Sequence, residues 1–155
     1  SEIVVVLGHE HDSIVPYVNA PSVRSVVNHD YRQGKTTSIK SGLRSIAPRS
    51  TDFLLLAVDQ PRPAKIIRAI IEAHRSNGAL ITSPRYQGHG GHPMLFSARL
   101  KAELEAVSEE RQGIREVFQS HRDEVNEVAI DDPIVRLDLN TPEAYEEAKV
   151  RFGVG

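Results

Sequence analysis

The chain has no cysteine, a single methionine and few aromatic residues among its 155 positions. The missing cysteine excludes disulfides, thiolate metal sites of the zinc-finger type and a cysteine nucleophile, and it fits a reducing, cytoplasmic location. No apolar run approaches the roughly 18 residues that a membrane-spanning helix needs. The first residues also lack the basic and apolar regions of a signal peptide, so no membrane partner is expected. A strong charge of one sign is absent too: 19 basic residues stand against 21 acidic ones. With basic residues dispersed and aromatics scarce, nucleic-acid binding has no support and small molecules are the expected partners. The length fits one domain, residues 1–155, with a real core.

What is present is an alternation of short apolar runs with helical patterns. Ile3 to Leu7 reads as a buried strand ending at Gly8, and Val23 to Val27 as a second strand. A short helix fits between them, within 11–18. From Thr36 to Ala47, the residues Ile39, Leu43, Ile46 and Ala47 recur at helical spacing until Pro48 stops the pattern. The run Phe53 to Val58 reads as a central strand buried on both faces. A helix from Pro63 to about Arg75 follows, with Ile66, Ile67, Ile70 and Ile71 on one face and Asn77-Gly78 as its stop. Strands are expected at 79–82, 94–96, 125–130 and 134–139. Helices are expected from Ser97 as N-cap to about Val107, over 113–121, and from Thr141-Pro142-Glu143 to Phe152, where an N-cap, a proline at the first position and an acid mark a helix start. Such alternation implies a three-layer α/β fold with a mostly parallel sheet and right-handed crossovers.

Chemistry in that architecture collects at the carboxyl ends of strands. Asp59 stands where the central strand leaves the sheet, placed either to hold a metal or substrate or to cap the helix after it. Four clusters fall at such ends: Asn28 to Ser38, Asp59 to Arg62, Arg85 to His92, and Asp138 to Thr141. Two acids from different strands, Asp59 and Asp138, suit Mg²⁺, a hard ion that takes one or two carboxylates and fills its shell with water and phosphate. The same two acids would serve equally as unrelated caps. Gln33-Gly34-Lys35-Thr36-Thr37-Ser38 offers a Gly-Lys-Thr triplet opening a helix, but a P-loop needs a glycine where His29 stands. What remains is a helix N-terminus suited to an anion or a polar ring edge, or to simple capping. His89 and His92 have metal-pair spacing without a third ligand, and His9 and His11 receive no role.

Taken together, the ordered motifs Asn28-His-Asp-Tyr-Arg-Gln-Gly34, Ser38-Ile-x-x-Gly42-Leu43, Leu56-Ala-Val-Asp-Gln-Pro61, Ser83-Pro-Arg-Tyr86, Gly91-His-Pro93-x-Leu-Phe96 and Asp138-Leu-Asn-Thr-Pro-Glu143 resemble the MobA-like nucleotidyltransferases, closest to the molybdenum-cofactor cytidylyltransferases. The resemblance covers most of the chain and implies a Rossmann-like nucleotidyltransferase fold. It implies that the terminal phosphate of molybdopterin attacks the α-phosphorus of a nucleoside triphosphate, most closely CTP, with Mg²⁺ as cofactor and pyrophosphate as leaving group. By the same motif match, Asp59 is the metal ligand, Asp138 the second acid and Asn140 a further candidate. Gly34 and Ser38, with Asp59 and Gln60, fall on the nucleotide side, and Gly91 and His92 on the pterin side. A molybdoenzyme would be the eventual acceptor of the product.

Two departures stand out. Relatives open with a strand and a loop of the form Leu-x-Ala-Gly-x-Ser-x-Arg-Met-Gly that holds the triphosphate, and these 155 residues contain no such pattern. They begin at the family's second strand, which raises the expectation that the sheet lacks its first strand and that the residues belong to a longer chain. Asn140 stands where relatives commonly carry an acid. Competing readings are a noncatalytic cofactor or nucleotide binding module that assists molybdoenzyme maturation, and a related transferase acting on a sugar phosphate.

Overall fold

A computed structural model describes residues 2–18 and 20–154. The chain forms two compact units: Ser1–Thr51 with Ala98–Arg122, and Asp52–Ser97 with Asp123–Gly155.

The first unit is built on a parallel pair, β1 (Ile3–Leu7) and β2 (Val23–Val27), in register from Ile3 opposite Val23 to Leu7 opposite Val27. Both runs are rich in valine, whose branched side chains suit a pleated surface. The crossover holds α1 (His11–Ile14) and a 3₁₀ turn at Val15–Tyr17, matching the expected short helix. α2 (Lys35–Ser45) packs on both strands and buries Leu43. α4 (Lys101–Ala106) packs on α2, and α5 (Ile114–Ser120) on α4. Leu100, Leu104, Val107 and Val117 supply the apolar contacts. β1 is less buried than its apolar sequence suggests: only Leu7 is enclosed, and Ile3 is exposed. Among the described strands β1 has β2 as its one partner, so its outer positions have little to pack against.

The second unit holds a five-stranded sheet in which β3 (Asp52–Leu55), β6 (Met94–Ser97), β4 (Ile81–Tyr86) and the two-residue β5 (His89–Gly90) follow one another, with β7 (Val125–Ala129) also on β4. β4 and β7 are parallel, whereas β6 runs antiparallel to both β3 and β4. The tight return through Gln87 to Gly91 sends β6 back along β4, which alternation of strands with helices could not disclose. α3 (Ala64–Asn77) lies on β4, β6 and β7 with Ile66 and Ile70 buried, and Gly78 closes it as expected. Its His74 is buried as well. The ring bonds Thr82 Oγ1 at 2.8 Å and Asp52 Oδ1 at 3.2 Å, tying the helix to β4 and β3 through satisfied polar groups. Ile66, Ile134 and Val135 form a core cluster with Tyr86, Ile130, Leu137 and Phe152, the last from α6 (Pro142–Phe152).

Three expectations are corrected here. The strand expected to be central lies at the edge of the described sheet with β6 as its one partner, and it stops at Leu55, where that ladder ends at Met94; Val58 is fully exposed rather than buried. The backbone turns back at once, with the Gln60 amide bonded to the Ala57 carbonyl at 3.0 Å. Residues 134–139 are not a strand. Asp132 accepts from the Ile134 amide at 3.0 Å and Pro133 sets the first dihedral, so Pro133–Arg136 winds into a 3₁₀ turn that buries the same apolar side chains. Ser97 closes β6 instead of capping a helix, and a 3₁₀ turn at Ala98–Leu100 precedes α4.

Candidate functional site

Within the second unit, three loops converge. The first follows β3 and carries Asp59, Gln60 and Arg62. The second precedes β6 and carries Gly91, His92 and Pro93. The third links Pro133–Arg136 to α6 and carries Asp138 and Asn140. The Leu139 amide donates to the Asp59 carbonyl at 2.8 Å, which puts the two acid-bearing loops side by side. The His92 amide donates to the Val135 carbonyl at 2.7 Å, and the Gly91 amide to Pro84 at 3.0 Å. A Cβ on Gly91 would meet the Val135 carbonyl carbon at 2.9 Å, so no larger residue fits where these strands of chain cross. The His92–Pro93 peptide is cis.

At the centre of the three loops lies Arg62, buried to 8 % exposure. Its Nε donates to the His92 carbonyl at 3.0 Å. Nη1 donates to Pro61 at 2.9 Å and Leu137 at 2.8 Å, and Nη2 donates to Val135 at 3.0 Å. Burial pulls the guanidinium below its ordinary pKa, and the carboxylates of Asp138 and Asp59 act against that. It stays a cation, because an arginine starts from so high a value. Desolvating such a charge costs several kcal/mol, offset here by four charge-assisted bonds of about 1.5–3 kcal/mol each. Sequence reasoning gave Arg62 no role. Its signal was its setting: an arginine locked between Pro61 and Pro63 where a strand ends.

Neither the Asp59 nor the Asp138 carboxylate has a hydrogen-bond or ion-pair partner among the described residues. Asp59 does not cap the following helix, whose N-cap is Pro63. Two unpartnered carboxylates on adjoining loops are a hard-oxygen donor set that fits a divalent cation sharing its shell with phosphate. Among the described residues no group of three acidic, histidine or cysteine side chains could hold a metal without such outside ligands. Asn140 is exposed on the same loop as Asp138. Gln60 is buried, and its Oε1 accepts from the Ala57 amide at 3.4 Å, so its side chain helps to close its own turn.

Gly34 and Ser38 belong to the first unit. Gly34, at φ +116°, is the N-cap of α2. The buried Asn28 donates to Thr37 Oγ1 at 2.9 Å and Ser38 Oγ at 3.0 Å while accepting from the Asp30 amide. That network fixes Ser38 as an acceptor and leaves its own hydroxyl hydrogen to donate. The amides of α2 are not all free: Thr36 donates to the Glu109 carboxylate at 2.6 Å, and this bond holds the Glu109 carboxyl below the usual range, with Lys35 adding to it. Nothing in the surface sequence around Glu109 announced that contact.

The chain is similar to known proteins over most of its length. Residues 1–125 match the family model described as MobA-like NTP transferase domain. The chain is 27 % identical over 154 residues to the molybdenum cofactor cytidylyltransferase of Escherichia coli K12, covering 98 % of this chain and 76 % of that protein. It is 32 % identical over 107 residues to nicotine blue oxidoreductase of Paenarthrobacter nicotinovorans, covering 64 % and 52 %. The crystal structure of Rv0371c from Mycobacterium tuberculosis H37Rv is similar with a TM-score of 0.78 at 26 % identity, over 96 % of this chain and 75 % of that one. The same protein has also been solved in complex with manganese.

Proposed function

The chain belongs to the MobA-like NTP transferase domain family, with a Rossmann-like α/β fold, and from that premise we propose that it transfers a nucleoside monophosphate, CMP from CTP, to the terminal phosphate of molybdopterin. An acceptor phosphate oxygen forms a bond to the α-phosphorus, the bond to the bridging oxygen breaks, and pyrophosphate leaves.

The observation that supports this reading best is the pairing of the Asp59 and Asp138 loops through the Leu139 amide, with both carboxylates unpartnered above a buried cation. Asp59 and Asp138 would hold Mg²⁺, with Asn140 as a neutral oxygen donor. Bound there, the cation supplies charge neutralisation to the phosphates and orients them for in-line displacement. The protein's own part is positioning: the loop at Gly91 and His92 borders the acids and suits the pterin phosphate, and Gln60 stiffens the turn that presents Asp59. Gly34 and Ser38 are assigned to the nucleobase by motif. Ser38 can donate one hydrogen bond, a feature compatible with a cytosine carbonyl.

The test is pyrophosphate release by the full chain with CTP, GTP and ATP, each offered molybdopterin or a sugar phosphate as acceptor. The expected result is turnover with CTP and molybdopterin that requires Mg²⁺ and falls about a hundredfold or more in Asp59→Asn. Release that is indifferent to Asp59→Asn would overturn the metal assignment. Release only with a sugar phosphate would move the acceptor to that class.

A further inference from the structure

Arg62 takes no part in the transfer itself, yet its guanidinium bonds to all three segments that converge on the acids. Four of the five guanidinium N–H groups are used, and every acceptor is a backbone carbonyl: Pro61 on its own loop, His92 on the second, Leu137 on the third, and Val135 on the 3₁₀ turn that leads into it. The choice of acceptors is informative. A buried arginine close enough to two carboxylates to feel their charge would ordinarily pair with one of them, since a bidentate guanidinium–carboxylate contact is among the strongest polar interactions available. Here the carboxylates influence the charge without bonding to it.

We propose that Arg62 is a positioning residue for the cation: it fixes the loops bearing Asp59, His92 and Asp138 to one another through carbonyls alone, and so leaves both carboxylates open to a divalent ion. The inference rests on the metal role given to Asp59 and Asp138 above. Lysine cannot substitute, because one ammonium on a flexible stem cannot reach four carbonyls spread over three loops as a planar fork does.

A structural residue of the ordinary kind would predict only lost stability, so the test reads metal binding in folded protein. Mn²⁺ affinity is measured by electron paramagnetic resonance with a nonhydrolysable CTP analogue present, in the wild type, Arg62→Lys and Arg62→Gln. Circular dichroism establishes that each variant is folded at the working temperature. The expected result is a loss of about tenfold to a hundredfold in Mn²⁺ affinity in both variants, as for other residues that orient metal ligands, with metal-free affinity for the analogue within about twofold. Folded variants that bind Mn²⁺ as the wild type does overturn the inference and leave the functional reading intact. A wild type that binds no Mn²⁺ overturns both.

Should neither variant fold, amide hydrogen exchange in the wild type decides the matter. The His92 and Leu139 amides belong to different loops that Arg62 joins, so they are expected to open together and to be slowed together by Mg²⁺ with the analogue. Independent opening of the two, unaffected by Mg²⁺, overturns the inference.

Discussion

Gly91 illustrates how one missing methyl group can decide a loop. Its amide is bonded to Pro84, and the space a side chain would need is filled by the Val135 carbonyl. Gly91→Ala must push the 3₁₀ turn at Pro133–Arg136 away, weakening the His92–Val135 and Arg62–Val135 bonds together. We expect a loss of about 1–3 kcal/mol in urea unfolding, in line with overpacking elsewhere, accompanied by a raised requirement for Mg²⁺. An unchanged unfolding midpoint would show that the turn yields without cost. The sequence flagged Gly91 only through its place in a Gly-His-Pro motif. The reason for the glycine is a neighbour 44 positions along the chain, invisible to any local reading.

At the scale of elements, α6 is anchored at both ends, and a pH titration can address the contact near its far end. Its N-cap is Thr141, whose hydroxyl accepts from the Ala144 amide at 3.2 Å, as the sequence pattern implied. Near its far end Arg151 pairs with Asp132 at 2.7 Å, and Lys65 of α3 approaches the same carboxylate at 3.6 Å. The Ile134 amide first, and Arg151 and Lys65 after it, hold the Asp132 carboxyl below its ordinary value. The folded state therefore binds this proton less tightly than the unfolded chain. The stabilisation is complete above the unfolded aspartate value of roughly 3.9 and is lost as pH falls through the lower folded value. Asp132→Asn should lower stability at neutral pH and flatten the decline of stability between about pH 5 and pH 2. Thermal melts of both proteins across that range check this, and parallel declines would remove Asp132 as a contributor. The same carboxylate explains why residues 134–136 wind into a turn and do not begin a strand, since it supplies the cap that starts the winding.

For the whole molecule, the candidate functional residues divide between the two units: Gly34 and Ser38 in one, and Asp59, Gln60, Gly91, His92, Asp138 and Asn140 in the other. Ser38 answers to Asn28, and Asp59 shares a backbone bond with Leu139, so the two positions have no partner in common. Their substitutions should then act separably. Ser38→Ala is expected to raise KM for CTP by about threefold to tenfold, the worth of one neutral hydrogen bond, with kcat and Mg²⁺ dependence kept. Asp59→Asn is expected to depress kcat and alter Mg²⁺ dependence with base preference kept. Steady-state kinetics on the two variants and the double variant check this, and strong non-additivity would refute the division of roles.

By itself the sequence determined what depends on neighbours along the chain. The valine-rich β1 and β2 fall at their expected residues, Gly78 stops α3, and Thr141-Pro142 starts α6, because periodicity, φ restriction and capping act within a few positions. The ordered motifs also carried the family and the α/β class. Tertiary structure decided what depends on groups far apart in sequence. The early end of β3 at Leu55, the Glu109 carboxylate at the start of α2 and the seat of Arg62 arise from partners that lie tens of residues away, and the return of β6 against β4 from pairs beyond the reach of a local pattern. A buried donor must be satisfied by whichever carbonyls the packed chain brings to it, and that supply is fixed only once the loops have closed around it.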